Sequence, residues 1–298
     1  MENKPFFSIV IPTYNSSEFL ERALLSVINQ SFQNFEIIVI DNSSVDNTNN
    51  VLKKFKMNNI NIIKVNNDGI IAYSRNKGIE NAKGEWIAFL DSDDVWQPQK
   101  LEKVNDTINH NSKVIMICHD EVQIHNGEIK NKIQYRPSGS NIYERLLFQG
   151  NFISTSAVCL RKDIAKKSGG FSEQKIFVTV EDYEYWIRLS QLGDFFFINE
   201  ILGEWHTHDN NYSSNAKIHS NALIEVIKYH LGIWKSNFPD NNRKLNRGLS
   251  NVFFISSRIL QKGSLFSDAK KHAIKSICLN PFQLKAWVIL LLSSFRIN

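Results

Sequence analysis

The first 94 residues alternate short apolar runs with stretches of helical periodicity, and this alternation limits the chain to few folds. Four apolar runs have the composition of buried strands: Ser8–Ile11, Glu36–Ile40, Ile60–Val65 and Glu85–Leu90. Ser17 is predicted to cap an amphipathic helix, and a second helix is predicted over residues 70–82. Strands that alternate with helices form βαβ units, which align the strands in parallel. The pattern therefore predicts an α/β fold with a mostly parallel central sheet flanked by helices.

Polar clusters follow three of these strands at the point where each strand ends. They are Pro12–Asn15, Asp41–Asp46 and Asp91–Asp94. In open parallel sheets, ligands bind outside the carboxyl ends of the strands. The sequence therefore predicts one site built from three strand ends.

The later sequence has a different pattern. Beyond Gln97-Pro98 it is mixed, with strands predicted near Val114–Cys118 and Ser156–Leu160. From about Asn221 it becomes helical to its end, with two apolar helices predicted near 267–279 and 284–292. We therefore expect a C-terminal helical segment after the sheet.

Cysteine content and apolar runs exclude several classes of protein. The three Cys residues, Cys118, Cys159 and Cys278, lie far apart, which argues against a disulfide framework or a zinc site and favours a reducing cytoplasm. Met1–Phe7 has no signal-peptide pattern, and the longest apolar run, Ala286–Leu292, is far shorter than the roughly 20 residues of a membrane span. We therefore expect a cytoplasmic protein without a membrane-spanning helix.

Charge is distributed unevenly along the chain. Residues 1–220 carry 23 Lys and Arg against 27 Asp and Glu, whereas residues 221–298 carry 12 against 3. No nucleic-acid-binding motif accompanies the basic segment, so we expect no nucleic-acid partner. Two interpretations of this segment remain: a helical hairpin that packs on the rest of the protein, or a peripheral contact with an anionic membrane.

Three carboxylates lie close together after the fourth strand. Asp91, Asp93 and Asp94 fall within four positions, and like charges at that distance repel unless a cation or donor offsets them. Mg²⁺ or Mn²⁺, held by one or two carboxylates and by substrate phosphates, fits this pattern. Spacing alone leaves open a turn that merely solvates its charges.

Other polar residues also allow two interpretations. Thr13 and Tyr14 offer a hydroxyl and an aromatic ring for a base and ribose, whereas Asn15 and Asp41 are either ligand contacts or helix caps. Arg75 is either a clamp for phosphate or a surface residue. Glu181-Asp182 opens a helix, where acidic residues also simply stabilise the helix dipole.

Four blocks, in order over roughly the first 210 residues, resemble family 2 glycosyltransferases with the GT-A fold. They are SIVIPTYN (Ser8–Asn15), EIIVIDNSSVDNT (Glu36–Thr48), the stretch from Gly69 through SRNKGIENAKGEWIAFLDSDD (Ser74–Asp94) and VEDYEYWIRL (Val180–Leu189). The resemblance implies inverting transfer from a nucleotide-diphosphate sugar, most often a UDP-sugar. It implies a set of nucleotide-sugar contacts: Pro12, Thr13, Tyr14, Asn15, Asp41, Ser43, Arg75, Asp91 and Ser92. Among them Asp91 would lie on the ribose side, and Asp93 would hold Mn²⁺ or Mg²⁺ on the diphosphate.

The resemblance also implies residues for chemistry and for the acceptor. The catalytic pair would be Glu181 and Asp182, with Asp182 as the base that takes the proton from the acceptor hydroxyl. His208, three residues after Trp205, would reach the metal or the diphosphate. The acceptor pocket would be lined by three residues: Asn151, Thr155 and Trp186, the last by stacking on a sugar if it is exposed.

These inferences predict three parts of the chain: a nucleotide-sugar-binding half over 1–97, an acceptor-binding half over 98–220 and a helical segment over 221–298 that either docks on membrane or packs on the protein. The leading hypothesis is a transferase that adds a sugar to a glycan or lipid-linked glycan, peripheral on the inner face of the cell membrane. The alternatives are a polyprenyl-phosphate sugar synthase, a catalytically silent nucleotide-sugar-binding protein and a phosphotransfer receiver.

Overall fold

The computed structural model describes residues 4–55, 60–135, 141–207 and 215–297. These residues divide into two compact units. The first comprises Met1–Ser138, Ile153–Phe171 and Arg188–His208, and the second comprises Gly139–Phe152, Ser172–Ile187 and Asp209–Asn298. The three-part division of the sequence at residues 97 and 220 stays a prediction.

The first unit contains a single sheet, which has nine strands within the described ranges. The strands are β1 (Phe7–Thr13), β2 (Phe35–Asp41), β3 (Ile60–Lys64), β4 (Trp86–Phe89), β5 (Val95–Trp96), β6 (Val114–His125), β7 (Glu128–Ile133), β8 (Val158–Arg161) and β9 (Asp194–Thr207). Their order in the sheet is β3-β2-β1-β4-β8-β6-β9-β5, and β7 pairs with β6. All four strands predicted in the first 94 residues are confirmed, with ends that differ by at most two positions.

The two halves of the sheet differ in strand direction. β3, β2, β1 and β4 are all parallel, as the βαβ pattern predicts. Beyond β4 the sheet becomes mixed, because β8 runs antiparallel to both β4 and β6, whereas β6 and β9 are parallel. The parallel half therefore brings the ends of β1, β2 and β4 to the same edge.

Helices cover the sheet of the first unit. They are α1 (Leu20–Ile28), α2 (Thr48–Lys54), α3 (Ile71–Asn81), α4 (Lys100–His110) and α6 (Lys162–Lys167). The predicted apolar face of α1 is confirmed, since Leu20, Ala23, Leu24 and Val27 are all fully buried. Burial of this face against the sheet fixes the helix and so fixes the loop that precedes it.

The predicted cap of α1 at Ser17 is wrong. The helix begins at Leu20, after a turn in which the Ser16 carbonyl accepts the N–H groups of Phe19 and Leu20. The Ser17 N–H donates to Asp46 Oδ2 at 3.1 Å instead. The loop after β2 therefore determines where the helix starts, and a local capping signal does not reveal that contact.

Pro12 lies within β1 rather than after it. β1 pairs with β2 as far as Thr13, but its pairing with β4 ends at Val10. Pro12 would direct its N–H towards the β4 side, where the ladder has already ended. The missing donor therefore leaves no ladder hydrogen bond unmade.

The second unit is helical. Its helices are α5 (Ile142–Gln149), α7 (Glu181–Leu189, which begins in this unit), α8 (Ala216–Asn237), α9 (Asn242–Lys262), α10 (Phe266–Leu279) and α11 (Leu284–Ser294). Trp234 of α8 and Leu260 of α9 are among its buried residues. Across the described residues, every helix is either too short or too polar to cross a bilayer.

Candidate active site

The ends of β1 and β2 are joined by a set of short hydrogen bonds. Thr13 and Asp41 are register partners, and the Asn42 N–H donates to the Thr13 carbonyl at 2.9 Å. The Asn15 N–H donates to Ser44 Oγ at 2.9 Å, and Asn15 Oδ1 accepts the Val45 N–H at 2.9 Å. The two predicted polar clusters are therefore brought together, and Asn15 ties them to each other.

Both loops turn through residues with left-handed backbone geometry. The φ angle is 46° at Asn15 and 53° at Ser43. Few non-glycine residues adopt this region, and Asn is enriched among those that do. Ser43 also donates its hydroxyl to the Val65 carbonyl at 2.7 Å. Ser43 and Asn15 thus shape the loops that carry their neighbours.

Asp41 provides a buried acceptor at this edge. Its side chain is fully buried, and Oδ1 accepts the Ser44 N–H at 3.1 Å. Among the described residues, neither Asp41 Oδ2 nor the buried Thr13 Oγ1 has a hydrogen-bond partner. Buried polar atoms are seldom left unpaired, so this pair suits a ligand that supplies the missing donor. Tyr14, beside them, exposes its ring.

Arg75 is a buried residue and forms an ion pair with Asp91. Its Nη2 donates to Asp91 Oδ1 at 2.8 Å and to Oδ2 at 3.1 Å. The guanidinium also lies 5.4 Å from the centroid of the Phe171 ring, and Asn76 holds Phe171 through hydrogen bonds to its backbone N–H and carbonyl. The surface interpretation of Arg75 is therefore excluded, and the first Asp of the DSDD cluster is paired with a fixed cation.

The DSDD loop is anchored by Asp94, the last of its three carboxylates. Asp94 is buried, and it accepts the Ser156 hydroxyl and the His206 N–H. Ser156 Oγ in turn accepts the Asp91 N–H at 3.0 Å. Burial, together with the charges of Asp93, Glu121 and Asp91, raises the pKa of Asp94 well above its usual range. Asp94, one of the three clustered carboxylates, and Ser156 thus anchor the loop.

The loop is also fixed at its other positions. Ser92, which is nearly buried, shares a hydrogen bond of 2.9 Å with Ser16 in the loop after β1. The Asp93 carbonyl accepts Arg22 Nη2 at 2.8 Å. The backbone and Ser92 are therefore constrained, whereas the Asp93 side chain is only partly buried.

The carboxylates fit a divalent cation that takes part of its shell from a ligand. Within the described ranges, no three His, Cys, Asp or Glu side chains cluster as a metal site. Asp93 and Asp91 remain, and one or two carboxylates plus phosphate oxygens are an ordinary Mg²⁺ shell. The third predicted group, His208, lies outside the described residues.

A cluster of buried polar residues, which the sequence did not reveal, lies near this loop. Lys100 is fully buried, with Nζ 3.2 Å from the centroid of the Trp96 ring. Glu121 is also buried and accepts the Tyr135 hydroxyl at 2.7 Å, and burial raises the pKa of Glu121 to about 7. The Trp96 indole N–H donates to the Ser156 carbonyl at 2.8 Å, so the cluster is linked to the anchor of the loop.

The Glu181-Asp182 pair lies in the second unit, at the start of α7. Glu181 and Glu184 are buried, and His230 Nε2 lies 3.4 Å from Glu184 Oε1. Asp182 is only partly buried, and its Oδ1 accepts the N–H of the next residue, Tyr183. Among the acidic residues of this first helical turn, Asp182 is therefore the one that reaches solvent.

The backbone just before this pair is strained. Thr179 has a φ angle of 78°, which is unusual for a β-branched residue. Its hydroxyl is within hydrogen-bond distance of His219 Nδ1, at 3.0 Å, which helps to hold it. Strain of this kind concentrates at functional sites, so it adds an independent reason to examine the start of α7.

The three predicted acceptor residues differ in their environments. Trp186 is fully buried, so the condition for stacking on a sugar, an exposed ring, is not met. Apolar spacing on a helix predicts burial against a core as readily as a cleft, and here the core contact prevails. Thr155 is buried in the first unit, and Asn151 is exposed in the second.

Comparisons with known proteins agree with this architecture. AmsB of Erwinia amylovora, named an amylovoran biosynthesis glycosyltransferase, is 30% identical over 243 residues, which cover 76% of this chain and 78% of AmsB. S. aureus TarS 1-349 in complex with UDP superposes with a TM-score of 0.60 at 16% identity, covering 97% of this chain and 91% of TarS 1-349. The mannosyltransferase PcManGT of Pyrobaculum calidifontis, in complex with GDP-Man and Mn²⁺, gives 0.61 at 12% identity, covering 99% and 87%.

The family model described as glycosyl transferase family 2 matches residues 8–169, which span the three strand ends, the DSDD loop and Ser156. The sheet and its flanking helices superpose on these structures over nearly the whole chain. The chain belongs to glycosyl transferase family 2 and is a glycosyltransferase with the GT-A fold.

Proposed function

We propose that this enzyme transfers a sugar, with inversion, from a nucleotide-diphosphate donor to a hydroxyl of a glycan or lipid-linked glycan. The observation that carries the proposal is the ion pair between the buried Arg75 and the partly exposed Asp91. It lies at the same sheet edge as the buried Asp41, whose Oδ2 has no hydrogen-bond partner among the described residues. An anchored cation and an open acceptor at one edge suit a ligand with a phosphate at one end and a base N–H at the other.

Asp41 and Thr13 would recognise the base and ribose of the donor. Asp41 Oδ2 is an acceptor suited to an N–H such as that of uracil, and the exposed Tyr14 ring offers a surface for the base to stack on. A UDP-sugar is the proposed donor, and the solved TarS complex with UDP supports that choice. Pro12, Asn15, Ser43 and Ser92 would act mainly by shaping the loops around it.

Arg75, Asp91 and Asp93 would bind the ribose and diphosphate. A Mn²⁺ or Mg²⁺ ion held by Asp93, and by His208 as predicted, would offset the charge that develops on the departing diphosphate. The Mn²⁺ present in the PcManGT complex supports this assignment. Arg75 would add a fixed positive charge to the same group, and it stays in place because Phe171 and Asp91 hold it.

Asp182 would serve as the base, with Glu181 beside it. An inverting transfer is a single displacement, so one carboxylate must accept the proton of the attacking hydroxyl. Asp182 is the partly open acid in the first turn of α7, next to the strained Thr179, and both observations support this role. The hydroxyl would lose its proton to Asp182 as its oxygen bonds to the anomeric carbon and the nucleotide diphosphate leaves.

Asn151 and Thr155 would contact the acceptor. A glycan or lipid-linked glycan is proposed because the relative AmsB is named an amylovoran biosynthesis glycosyltransferase. Such an acceptor would place the enzyme at the inner face of the cell membrane, as the basic C-terminal segment also suggests.

The test is release of nucleotide from UDP-, GDP-, dTDP- and CMP-sugars in the presence of Mn²⁺. We expect slow hydrolysis of one donor, lost at least about 100-fold in Asp182→Asn, which should still bind that donor in calorimetry. Asp93→Ala should lose the metal-dependent part of donor binding. Asp240→Asn, an exposed Asp of the second unit, is the matched control.

Three outcomes would contradict the proposal. Equal donor affinity in wild type and Asp93→Ala would remove the metal assignment. Full activity in Asp182→Asn would remove the base. Binding of a nucleotide sugar without hydrolysis, and without transfer to any glycan or polyprenyl-phosphate acceptor, would indicate a silent binding protein.

A further inference from the structure

The last helix of the second unit has its apolar side facing outward. The residues that α11 buries are Ala286, Ile289 and Ser293, two of which are small. Its exposed large residues are Leu284, Trp287, Val288 and Leu291, with exposed fractions of 72%, 45%, 53% and 59%. An ordinary surface helix has the opposite arrangement, because it buries its large apolar side chains against the core.

The exposed residues form one continuous surface. At roughly 100° per residue, Leu284, Trp287, Val288 and Leu291 fall within an arc of about 100°, opposite the three buried residues. Phe282 and Phe295 are 88% and 74% exposed and lie just before and just after the helix. We call these six residues the outer face of α11.

The outer face also lacks a polar group that would need water. Among its residues only Trp287 carries a side-chain donor, and its indole N–H already donates to the Pro281 carbonyl at 3.0 Å. Transfer of the ring into an apolar environment therefore breaks no hydrogen bond to water from that donor.

The charge around this helix indicates what covers the outer face. Residues 241–298 contain ten Lys and Arg residues and one acidic residue, Asp268. Lys285 is exposed on α11, and Arg296 is exposed just after it. An apolar stripe bordered by cations complements a surface with negative headgroups above an apolar layer.

We propose that the outer face of α11 is a docking surface for an anionic lipid bilayer. The 11-residue helix lies in the plane of the interface, since a span needs roughly 20 residues. Leu284, Trp287 and Leu291 enter the acyl boundary, and the nearby Lys and Arg side chains pair with lipid phosphates. A second copy of this chain is a poorer occupant, because a symmetric contact would bring the basic residues of both copies together.

The test is sedimentation of the full chain with vesicles of phosphatidylcholine alone and of phosphatidylcholine with 30 mol% phosphatidylglycerol. We expect binding that requires phosphatidylglycerol and weakens as salt rises. Leu284→Ser/Leu291→Ser should lower the partition coefficient at least tenfold, and Lys285→Glu/Arg296→Glu should lower it several-fold. Ile129→Ser, which removes a 70% exposed apolar side chain from β7 of the first unit, should change nothing.

A second measurement locates the contact. Brominated lipids should quench part of the tryptophan fluorescence of the wild type, and this part should disappear in Trp287→Phe while the variant still sediments. Equal sedimentation of wild type and Leu284→Ser/Leu291→Ser, or no preference for phosphatidylglycerol, would overturn the proposal. So would a dimer in vesicle-free buffer that the double Ser variant dissociates, since the face would then join two copies.

This inference does not depend on the proposed function. Donor hydrolysis is measured without vesicles, and vesicle binding is measured without donor. If vesicle binding is found without donor hydrolysis, the proposed function fails. If donor hydrolysis is found without vesicle binding, the docking proposal fails.

Discussion

In most folded proteins charged side chains are exposed and large apolar side chains are buried. The strand-end site of the first unit and the outer face of α11 depart from this pattern in opposite ways. At the strand ends, charged side chains such as Asp41, Arg75 and Asp94 are buried. On α11, leucine and tryptophan side chains face solvent. Both arrangements cost stability, since buried charge loses hydration and exposed apolar surface orders water. The comparison suggests that the places where a folded chain gives up stability are where its ligands are to be sought.

The largest effect of a substitution is expected at Arg75, in the strand-end site. Replacement by Met removes the cation and leaves Asp91 without its ion pair, so we expect kcat/KM to fall at least about 100-fold and the free energy of unfolding by about 2 kcal/mol. Arg75→Lys should recover part of the activity, because it keeps the charge but loses the two-oxygen contact. Steady-state kinetics and urea unfolding measure both quantities.

Arg243→Met, at an exposed position of the second unit, is the matched control for Arg75. If Arg75→Met lost stability but kept the donor KM and kcat of the wild type, the buried charge would serve folding alone. The parallel with α11 would then fail, because only one of the two regions would trade stability for a ligand.

A smaller effect is expected at Ser156, which joins two parts of the DSDD loop. Ser156→Ala leaves the Asp91 N–H and Asp94 Oδ2 without this hydroxyl, so we expect about 1–2 kcal/mol less stability and donor binding about fivefold weaker. Calorimetric titration with the donor and urea unfolding would show both changes together. Ser236→Ala, an exposed Ser of α8 bonded to its own helix, should change neither.

The smallest effect is expected on the exposed side of α11. It tests the second half of the comparison, the assignment of exposed and buried faces on that helix. Leu291→Ser should change the free energy of unfolding by no more than about 0.5 kcal/mol, because the side chain is largely exposed. Ile289→Ala, two residues away on the buried side, should cost about 2 kcal/mol or more. Thermal unfolding of the two variants tests the assignment of faces, and a large loss in Leu291→Ser would contradict it.

The features that the sequence predicted are those with a local pattern. The four strands of the parallel half and the positions of Thr13, Asp41 and Asp91 at their ends follow from β-branched runs that stop at polar residues. The GT-A fold followed from the same runs together with the resemblance of four blocks. The roles of individual site residues remain predictions, but their approach at one edge is a direct consequence of parallel pairing.

The features that the sequence did not predict depend on distant partners. Ser156 meets Asp94 across 62 positions, and nothing in the sequence links the two residues. Lys100 and Glu121 count as polar in any hydropathy pattern, yet the sheet buries both. Burial of a charge is decided by what surrounds it in three dimensions, so a linear pattern does not reveal it.

Helix faces raise the same difficulty. In α11 nearly every position is apolar, so periodicity does not indicate which side packs against α9 and α10. In α7 the spacing of Tyr185, Trp186 and Leu189 predicts an apolar face but not whether that face lines a cleft. In both helices the tertiary contacts decide which face is buried, and the sequence of the helix alone does not predict it.

The left-handed backbone at Asn15 and Ser43 also affects how retention or change of a residue among relatives should be interpreted at this site. Asn15 is held by its φ angle and by its bond to the Val45 N–H, and both requirements exist before any donor arrives. Descendants that had changed donor, or had lost transfer altogether, would still be selected for Asn or Asp there, since both tolerate this φ angle and carry a side-chain oxygen for the Val45 N–H. Retention of Asn15 among relatives would therefore reflect the shape of a turn. If Asp41 and Thr13 bind the nucleotide as proposed, changes at those two positions would instead reflect a change of nucleotide.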